Sequence, residues 1–590
     1  MPGIRRRRGR LALTALVAAS LLAAAGTASA GHTPPSRTTD LRLLALNDLH
    51  GNLEEPQGSA ANVTEIGPDG TTSTVPAGGI EHLATRLRAA RAENPNSLTV
   101  AAGDLIGASP LLSGLFHDEP TIEALNKLGL DVTSVGNHEF DEGRKELRRM
   151  QNGGCHPTEG CYTPGRTFRG ADFEYLAANV LDERTGLPIL APASIENVGG
   201  ARVGFIGLTL EGTPDIVTAE GVAGLKFQDE IRTANRIVPW LRLLGVESIV
   251  VLLHEGGLPA GNAYNYDCNA GGNLGLSGPV VDIAKGLDPA IDVVVTGHTH
   301  QAYTCDIPDP AGKSRMVTSA SSFGKVFTQI DLTYDKRTRD IVRGSVKAQN
   351  HVVRRTPDRA PDMTTLLNRW RALAAPVANR PIGHISADIL GRGSTAPETP
   401  LGDLLADAQL EATAPADKGG AQIAFMNPGG IRSDFQYAAA GAEGDGVVTY
   451  GEAFTVQPFT NMLVTVDLTG QAILDLLAQQ YTGGNAASPR ILQVSAGLTY
   501  TTDRSRTGAA RIVAGSVALN GVAIDPAATY KVTANEFLTG GGDGFAAFKT
   551  GTNKRVGGSD LDALTAYFAA HSSAGTPIAP PAADRITFIG

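Results

Sequence analysis

Five short apolar runs, each followed at once by residues able to hold a metal, constrain this chain more than any other feature. Leu41-Arg-Leu-Leu-Ala-Leu46 ends in Asn47-Asp48-Leu49-His50-Gly51, Ser97-Leu-Thr-Val-Ala101 leads to Gly103-Asp104, and Asp131-Val-Thr-Ser-Val135 ends in Gly136-Asn-His-Glu-Phe-Asp141. Ser248-Ile-Val-Val-Leu-Leu253 ends in His254-Glu255-Gly256, and Asp292-Val-Val-Val-Thr296 in Gly297-His298-Thr299-His300. Runs of this length and branched content read as buried strands. In an open α/β sheet, sites form at the carboxyl ends of the strands. Side chains two apart in extended chain, such as Asp48/His50 and His298/His300, point the same way and can meet at one site.

Asp48, His50, Asp104, Asn137, His254, His298 and His300 make seven oxygen and nitrogen donors. A single ion usually takes fewer, whereas two ions sharing a bridging carboxylate use such a set naturally. Each residue taken singly is more often a satisfied surface or core group. The recurrence decides: of 12 histidines in the chain, four stand in this set. His138 adds a group that titrates near neutral pH, and Asp141 can hold its imidazole in one tautomer.

The motifs Asn-Asp-Leu-His-Gly, Gly-Asp, Gly-Asn-His-Glu-Phe-Asp, His-Glu-Gly-Gly and Gly-His-Thr-His, in this order, resemble the calcineurin-like metallophosphoesterases. The likeness is to their 5′-nucleotidase branch and runs over nearly the whole mature chain. It implies that Asp48, His50, Asp104 and His300 hold one metal, and Asp104, Asn137, His254 and His298 the other, with Asp104 as bridge. Two divalent ions, Zn²⁺ or Mn²⁺, suit these donors. A metal-bridging hydroxide would attack phosphorus in line, without a covalent phospho-enzyme. His138, the catalytic histidine oriented by Asp141, would stabilise phosphoryl charge or assist the departing alkoxide.

The second half carries other signals. Arg354-Arg-Thr-Pro-Asp-Arg-Ala-Pro361 precedes a helical pattern from Met363 to Ala375, and a helix is expected over Leu401–Leu410. A strand over Ala421–Met426 ends in the turn Asn427-Pro-Gly-Gly-Ile-Arg432, suited to phosphate. Val456-Gln-Pro-Phe459 and Ala534-Asn-Glu-Phe537-Leu-Thr-Gly-Gly-Gly-Asp543-Gly-Phe545 follow. These pieces resemble the 5′-nucleotidase C-terminal domain. The resemblance implies that Phe459 and Phe537 sandwich a nucleobase, a contact tolerant of any base. Asp543 would bind the ribose hydroxyls, while Asn427 and Arg432 would contact the base and phosphate sides. Two departures stand out: Arg392 is the only counterpart of the family's arginine before the helix, in a stretched segment, and Pro428 replaces a common glycine, removing one backbone donor. The commoner fate of a Phe is core packing.

The expected fold is α/β: a layered β-sandwich flanked by helices (αββα) over 40–353, a linker with a helix over 354–379, and a second α/β nucleotide-binding domain over 380–590. The resemblance also implies a large domain rotation about the linker helix to bring base clamp and metals together.

At the start, Arg5–Arg8 and Arg10 precede an apolar stretch from Leu11 to Ala25 and Ala28-Ser29-Ala30, a secretory signal with cleavage expected after Ala30. The stretch is short of a membrane span. The adjacent arginines fit either a general or a twin-arginine signal. Removing residues 1–30 takes away five Arg and no acid, moving the formal charge from −10 to −15. An acidic chain without a basic run is no partner for nucleic-acid polymers, although a single nucleotide needs only local charge. Four cysteines allow three pairings; Cys155–Cys161 and Cys268–Cys305 are favoured, the second stapling two loops near the metals.

The expected activity is secreted, metal-dependent hydrolysis of nucleoside 5′-phosphates. A nucleotide-sugar or dinucleotide pyrophosphatase, or a 2′,3′-cyclic-nucleotide phosphodiesterase, would use the same residues, and a nucleotide-binding surface protein is the alternative from another class. Oligomeric state, monomer or larger, is open.

Overall fold

A computed structural model describes residues 37–590 apart from positions 57, 219, 270, 271, 273 and 357. The signal-peptide reading of residues 1–30 lies outside the described residues.

The ligand-bearing runs fold as central parallel strands of two sheets. In the first sheet the order is Asp340–Ile341, Val326–Asp335, Thr38–Leu46, Ser97–Ala102, Val132–Ser134 and Glu174–Leu176, with Lys347–Val352 also pairing on Val326–Asp335. Thr38–Leu46, Ser97–Ala102 and Val132–Ser134 pair in parallel. The second sheet runs Ala302–Pro308, Ser314–Ala320, Ile291–Thr296, Ser248–His254, Ala201–Thr209 and Ala193–Val198, and here Ser248–His254 and Ile291–Thr296 are parallel neighbours. Parallel pairing puts the ligand-bearing ends of neighbouring strands at the same edge of their sheet.

The central strands are mostly apolar because both faces are covered. Leu41, Leu43 and Ala45 point between the sheets, packing in one cluster with Phe205, Val250, Leu252 and Val293. The alternate residues Leu44 and Leu46 face outward into a cluster with Leu83 and Leu87 of the helix Ile80–Glu93 and Ile122 and Leu125 of the helix Glu119–Leu128. Leu208, Val251 and Leu253 face Val238 and Leu241 of the helix Glu230–Leu243. That helix starts at Asp229, whose carboxylate accepts from the Arg232 backbone N–H at 2.7 Å.

The largely apolar segment Tyr175–Val180 does not form one strand but is divided between Glu174–Leu176 and Val180–Asp182. The cause is Asn179, fully buried, whose amide donates to the Thr209 and Gln228 carbonyls and accepts from the Thr209 N–H. Those bonds replace ladder bonds and turn the chain.

The expected linker helix spans Pro361–Ala378, with Pro361 at its first turn. Its apolar stripe, Met363, Leu366, Leu367 and Trp370, joins the core formed by Leu83, Leu87 and Ile122. The C-terminal half is built on a five-stranded sheet ordered Gln493–Val494, Ile423–Met426, Thr529–Asn535, Met462–Thr469 and Thr552–Ser559. The helix Pro400–Thr413, longer at both ends than Leu401–Leu410, is capped by Thr399, whose hydroxyl accepts from the Gly402 N–H at 3.0 Å. Leu111 and Leu115 of the N-terminal half pack in one cluster with Phe454 and Leu401 of the C-terminal half.

Both favoured disulfides are present, Cys155–Cys161 and Cys268–Cys305. The second ties the loop after Ser248–His254 to the strand Ala302–Pro308. Among the described residues no helix is long and apolar enough to cross a membrane.

Candidate metal and nucleotide site

The seven sequence-derived donors converge where the two sheets empty their strands. Ligand atoms of Asp48, His50 and His300 lie within 4.8 Å of one another, as do those of Asp104, His254 and His298. Asp104 stands between the groups: its Oδ2 is 3.0 Å from His254 Nε2 and 3.6 Å from His50 Nε2. His300 Nε2 is 3.5 Å from Asp48 Oδ1 and 3.1 Å from His50 Nε2. Asn137 completes the set, its Oδ1 3.0 Å from His298 Nδ1.

The backbone around these residues is unusual. Asp48, His50, Asp104, His298 and His300 all have positive φ, between 48° and 72°. Left-handed backbone is sparsely populated by residues with a Cβ, and such strain gathers at functional sites. The preceding glycines are required by space. A Cβ on Gly297 would lie 3.0 Å from both Asp48 Oδ2 and His254 Nδ1, and one on Gly103 would lie 2.8 Å from His254 Nδ1.

Hydrogen bonds aim the imidazoles. His50 Nδ1 is 2.9 Å from the Gly107 carbonyl and His254 Nδ1 is 2.7 Å from the Ala102 carbonyl. An Nδ1–H donated to a carbonyl leaves Nε2 with a lone pair facing the cluster, the pattern of metal-ligating histidines. His254 Nε2 is buried and makes no hydrogen bond, despite its closeness to Asp104. Such an orphaned donor atom, among crowded carboxylate and imidazole atoms, fits a cation between them.

Electrostatics agree. Burial and then the charge on His254 push His298 down to about 3. Burial likewise drives His50 and His300 well below the usual imidazole range, so three rings are neutral and ready to ligate. Burial works against a charged His254, but Asp104 and Asp48 outweigh it and push it up to about 10. Burial and the Asp104 charge raise Asp48 to about 7, with His254 opposing. Two buried carboxylates thus compete for positive charge, which divalent ions would supply.

His138 and Asp141 form the expected pair, Nδ1 to Oδ2 2.8 Å. Burial opposes charge on His138, but Asp141 and Asp104 raise its pKa above the ordinary value. Its ring lies 5.0 Å from that of His50.

The C-terminal half reaches this cluster. The Phe459 ring is 5.7 Å from the His138 ring with 21° between planes, and the Arg432 guanidinium lies 5.8 Å from the Phe459 centroid. Arg432 is close enough to feel the charges of Asp104, Asp141 and Asp48. Arg392 sits behind it, its Nε donating to the Ile431 carbonyl at 2.8 Å. Asn427 and Asp543 are hydrogen-bonded to each other, Nδ2 to Oδ2 3.0 Å, and Phe537 packs beside Gly542 in the same loop. The Gly542–Gly544 turn touches the Thr213–Asp215 turn of the N-terminal half.

Four further residues escaped sequence reasoning. Glu139, buried inside the central motif, accepts from the backbone N–H groups of Asp104, Leu105 and Gly136, knitting two ligand loops together. Asn47 donates to Asp48 Oδ2 and to the Ser321 carbonyl. Both stand within quoted motifs, where a polar residue inside an apolar context was the available signal. Phe323 faces His50 and His300 at 6.0 and 5.4 Å, and Arg490 pairs with Asp543. Neither belongs to a recognisable pattern.

Comparisons with known proteins bear on the same residues. The calcineurin-like phosphoesterase family matches residues 41–302, and the 5′-nucleotidase C-terminal domain family matches residues 381–550. The chain is 32% identical to Endonuclease YhcR of Bacillus subtilis, over 91% of this chain and 40% of that protein. It is 34% identical to the cell wall protein Lmo0130 of Listeria monocytogenes, over 92% of this chain and 68% of that one. Among solved structures, a 5′-nucleotidase precursor from Thermus thermophilus matches with a TM-score of 0.72 and 26% identity, covering 94% of this chain and all of its own.

Proposed function

We propose that this chain, which belongs to the calcineurin-like phosphoesterase family in its 5′-nucleotidase branch, is a secreted hydrolase that cleaves nucleoside 5′-phosphates to nucleoside and phosphate. The observation that carries the reading is the meeting of the halves: Phe459 lies flat against His138 beside two clusters of metal donors. An aromatic platform, an arginine and a histidine whose pKa Asp141 and Asp104 raise above the ordinary value converge there as a nucleotide would require.

Asp48, His50, Asp104 and His300 would hold one ion and Asp104, Asn137, His254 and His298 the other, with Zn²⁺ or Mn²⁺ best suited to the donors. When bound, the pair supplies positive charge for a phosphate dianion and an activated water near neutral pH. The chain's own groups do the rest. Arg432, with Arg392 behind it, holds the phosphate. His138, kept protonated by Asp141, donates to a phosphoryl oxygen as charge develops or protonates the leaving alkoxide. Phe459 and Phe537 take the base between them, and Asp543 takes the ribose hydroxyls in exchange for its present bond to Asn427. Residues 40–353 form the metal-bearing domain and 380–590 the substrate-binding one. Because the helix Pro361–Ala378 is embedded in the N-terminal core, rotation of the second domain pivots after it, near Asn379–Pro381.

The test is phosphate release by the mature protein from AMP, ATP, a UDP-sugar, a cyclic nucleotide and an aryl phosphate, before and after chelation. Chelator-sensitive release from AMP is expected. Release from the aryl phosphate alone would remove the base clamp, and inactivity on all five with metal bound would favour a nucleotide-binding surface protein.

A further inference from the structure

A cavity of about 660 Å³ lies in the C-terminal half, beside the nucleotide site and distinct from its aromatic platform. Arg392, Arg504 and Arg511 line it, and among its described lining residues none is acidic. Three arginines around one cavity with no acidic residue among its described lining are unexpected on a chain with a formal charge of −10, although Asp434 lies near Arg392 outside that lining. Two of them are laid on aromatic rings that also line the cavity. The Arg511 guanidinium is 5.1 Å from the Tyr481 centroid, and that of Arg504 is 4.7 Å from Phe588. Arg511 is steadied further by Nε donating to the Arg506 carbonyl at 2.9 Å. A guanidinium stacked this way keeps its in-plane donors for a planar or tetrahedral anion and loses little freedom on binding one.

The cavity and the nucleotide site share two walls. Pro428 and Gly429 line the cavity, while Asn427 and Arg432 of the same turn face the nucleotide site. In the loop before Gln493, Pro489 and Ile491 line the cavity, and Arg490 between them pairs with Asp543. Arg392 joins the two spaces, lining the cavity while its Nε donates at 2.8 Å to the carbonyl of Ile431, the residue before Arg432.

We propose that this cavity is an anion subsite that binds the phosphate-rich arm of a substrate larger than a mononucleotide, continuing from Arg392. The anion chemistry is equally that of a free polyphosphate effector. Assigning the arm to a substrate rests on the nucleotide-hydrolase reading; the anion subsite itself does not.

The test is an Arg504→Gln/Arg511→Gln double variant of the metal-loaded mature protein, compared with wild type by thermal unfolding to confirm folding. If the double variant does not fold, Arg504→Gln alone, at an exposed position, serves with the same readouts. Calorimetry with the non-hydrolysable anion methylenebisphosphonate should show one binding equivalent fewer in the variant. KM for diadenosine tetraphosphate should rise by about ten-fold or more, as expected from loss of charge-assisted hydrogen bonds, while KM for AMP stays within about two-fold. Loss of the equivalent without a KM change assigns the cavity to a free polyphosphate. Unchanged stoichiometry overturns the subsite. If the wild type hydrolyses neither nucleotide yet the equivalent is lost, the hydrolase reading fails and the subsite stands.

Discussion

Glu139→Gln isolates the scaffold under the metal donors from the donors themselves. The carboxylate is buried, with Oε2 accepting from the N–H of Asp104 at 2.9 Å and of Gly136, and Oε1 accepting from Leu105 at 2.9 Å. Glutamine has nearly the same shape but only one accepting oxygen. Its NH₂ must then face at least one backbone N–H that no water can reach. Burial and the Asp104 charge push Glu139 up to about 7, so above that pH losing one bond to a charged acceptor and weakening two others costs roughly 3 kcal/mol. For a domain of roughly 300 residues the usual unfolding entropy per residue gives about 1.5 °C per kcal/mol, so the melting temperature should fall by roughly 4–5 °C. Asp104, whose backbone is one of the three anchors, would shift as well, and loss of an orienting contact of this kind lowers metal affinity or activity by about 10–100-fold. The assay pairs thermal unfolding of chelator-stripped protein with metal titration of the same preparation. An unchanged melting temperature in stripped protein would refute the reasoning, because the backbone bonds exist with or without metal. An unchanged metal affinity would show that Asp104 is held by other contacts.

Other perturbations separate the proposed roles. His138→Ala should lower turnover by about 10²–10⁴-fold while metal content is kept, measured by phosphate release and elemental analysis; full activity would remove its acid role. Phe459→Ala and Phe537→Ala should each raise KM for AMP and spare an aryl phosphate, and equal losses on both substrates would make them core residues. Replacing Cys268 and Cys305 by Ser opens a link across 37 residues and should cost about 4 kcal/mol in chemical denaturation. His117 gives a pH signature: burial opposes its charge, but Glu142 and Glu159 outweigh it and push it up to about 9, with His156 stacked at 4.0 Å. A folded value above the ordinary 6.5 means stability fully present below pH 6.5 and lost as pH rises through about 9. His117→Asn should flatten the melting profile across that window, and an identical slope in the variant would exclude the pair as its source.

The sequence made the clustering of these candidate donors legible because each follows directly on a strand. A buried parallel strand announces itself as an apolar run, and whatever follows it must emerge at one edge of the sheet. Asp48, His50, His298 and His300 lie just past the strand ends in left-handed backbone, so the two-residue period of extended chain is not what brings them together; the tight turns that follow the strands do. The α/β class and the strand-and-helix alternation were readable on the same grounds. Residues defined by tertiary approach were not. Arg490 meets Asp543 across 53 residues, and Phe323 reaches His50 and His300 from a loop with no motif of its own. The break at Asn179 was hidden because an apolar run does not show that one buried amide will take the backbone's partners. The stretched segment around Arg392 is visible in the sequence, but the cavity behind it depends on Tyr481 and Phe588, far along the chain.

The left-handed backbone at Asp48, His50, Asp104, His298 and His300 has a consequence for how this sequence can drift. At each of these positions glycine would relax the chain, and each strained residue costs of order 1 kcal/mol. Mutation toward a more heat-resistant protein therefore runs through these positions and erases the donors one by one. A lineage selected only to stay folded would arrive at an inert, sturdier scaffold. Asp and His at all five positions therefore carry a conformational cost that binding of the proposed ions would offset.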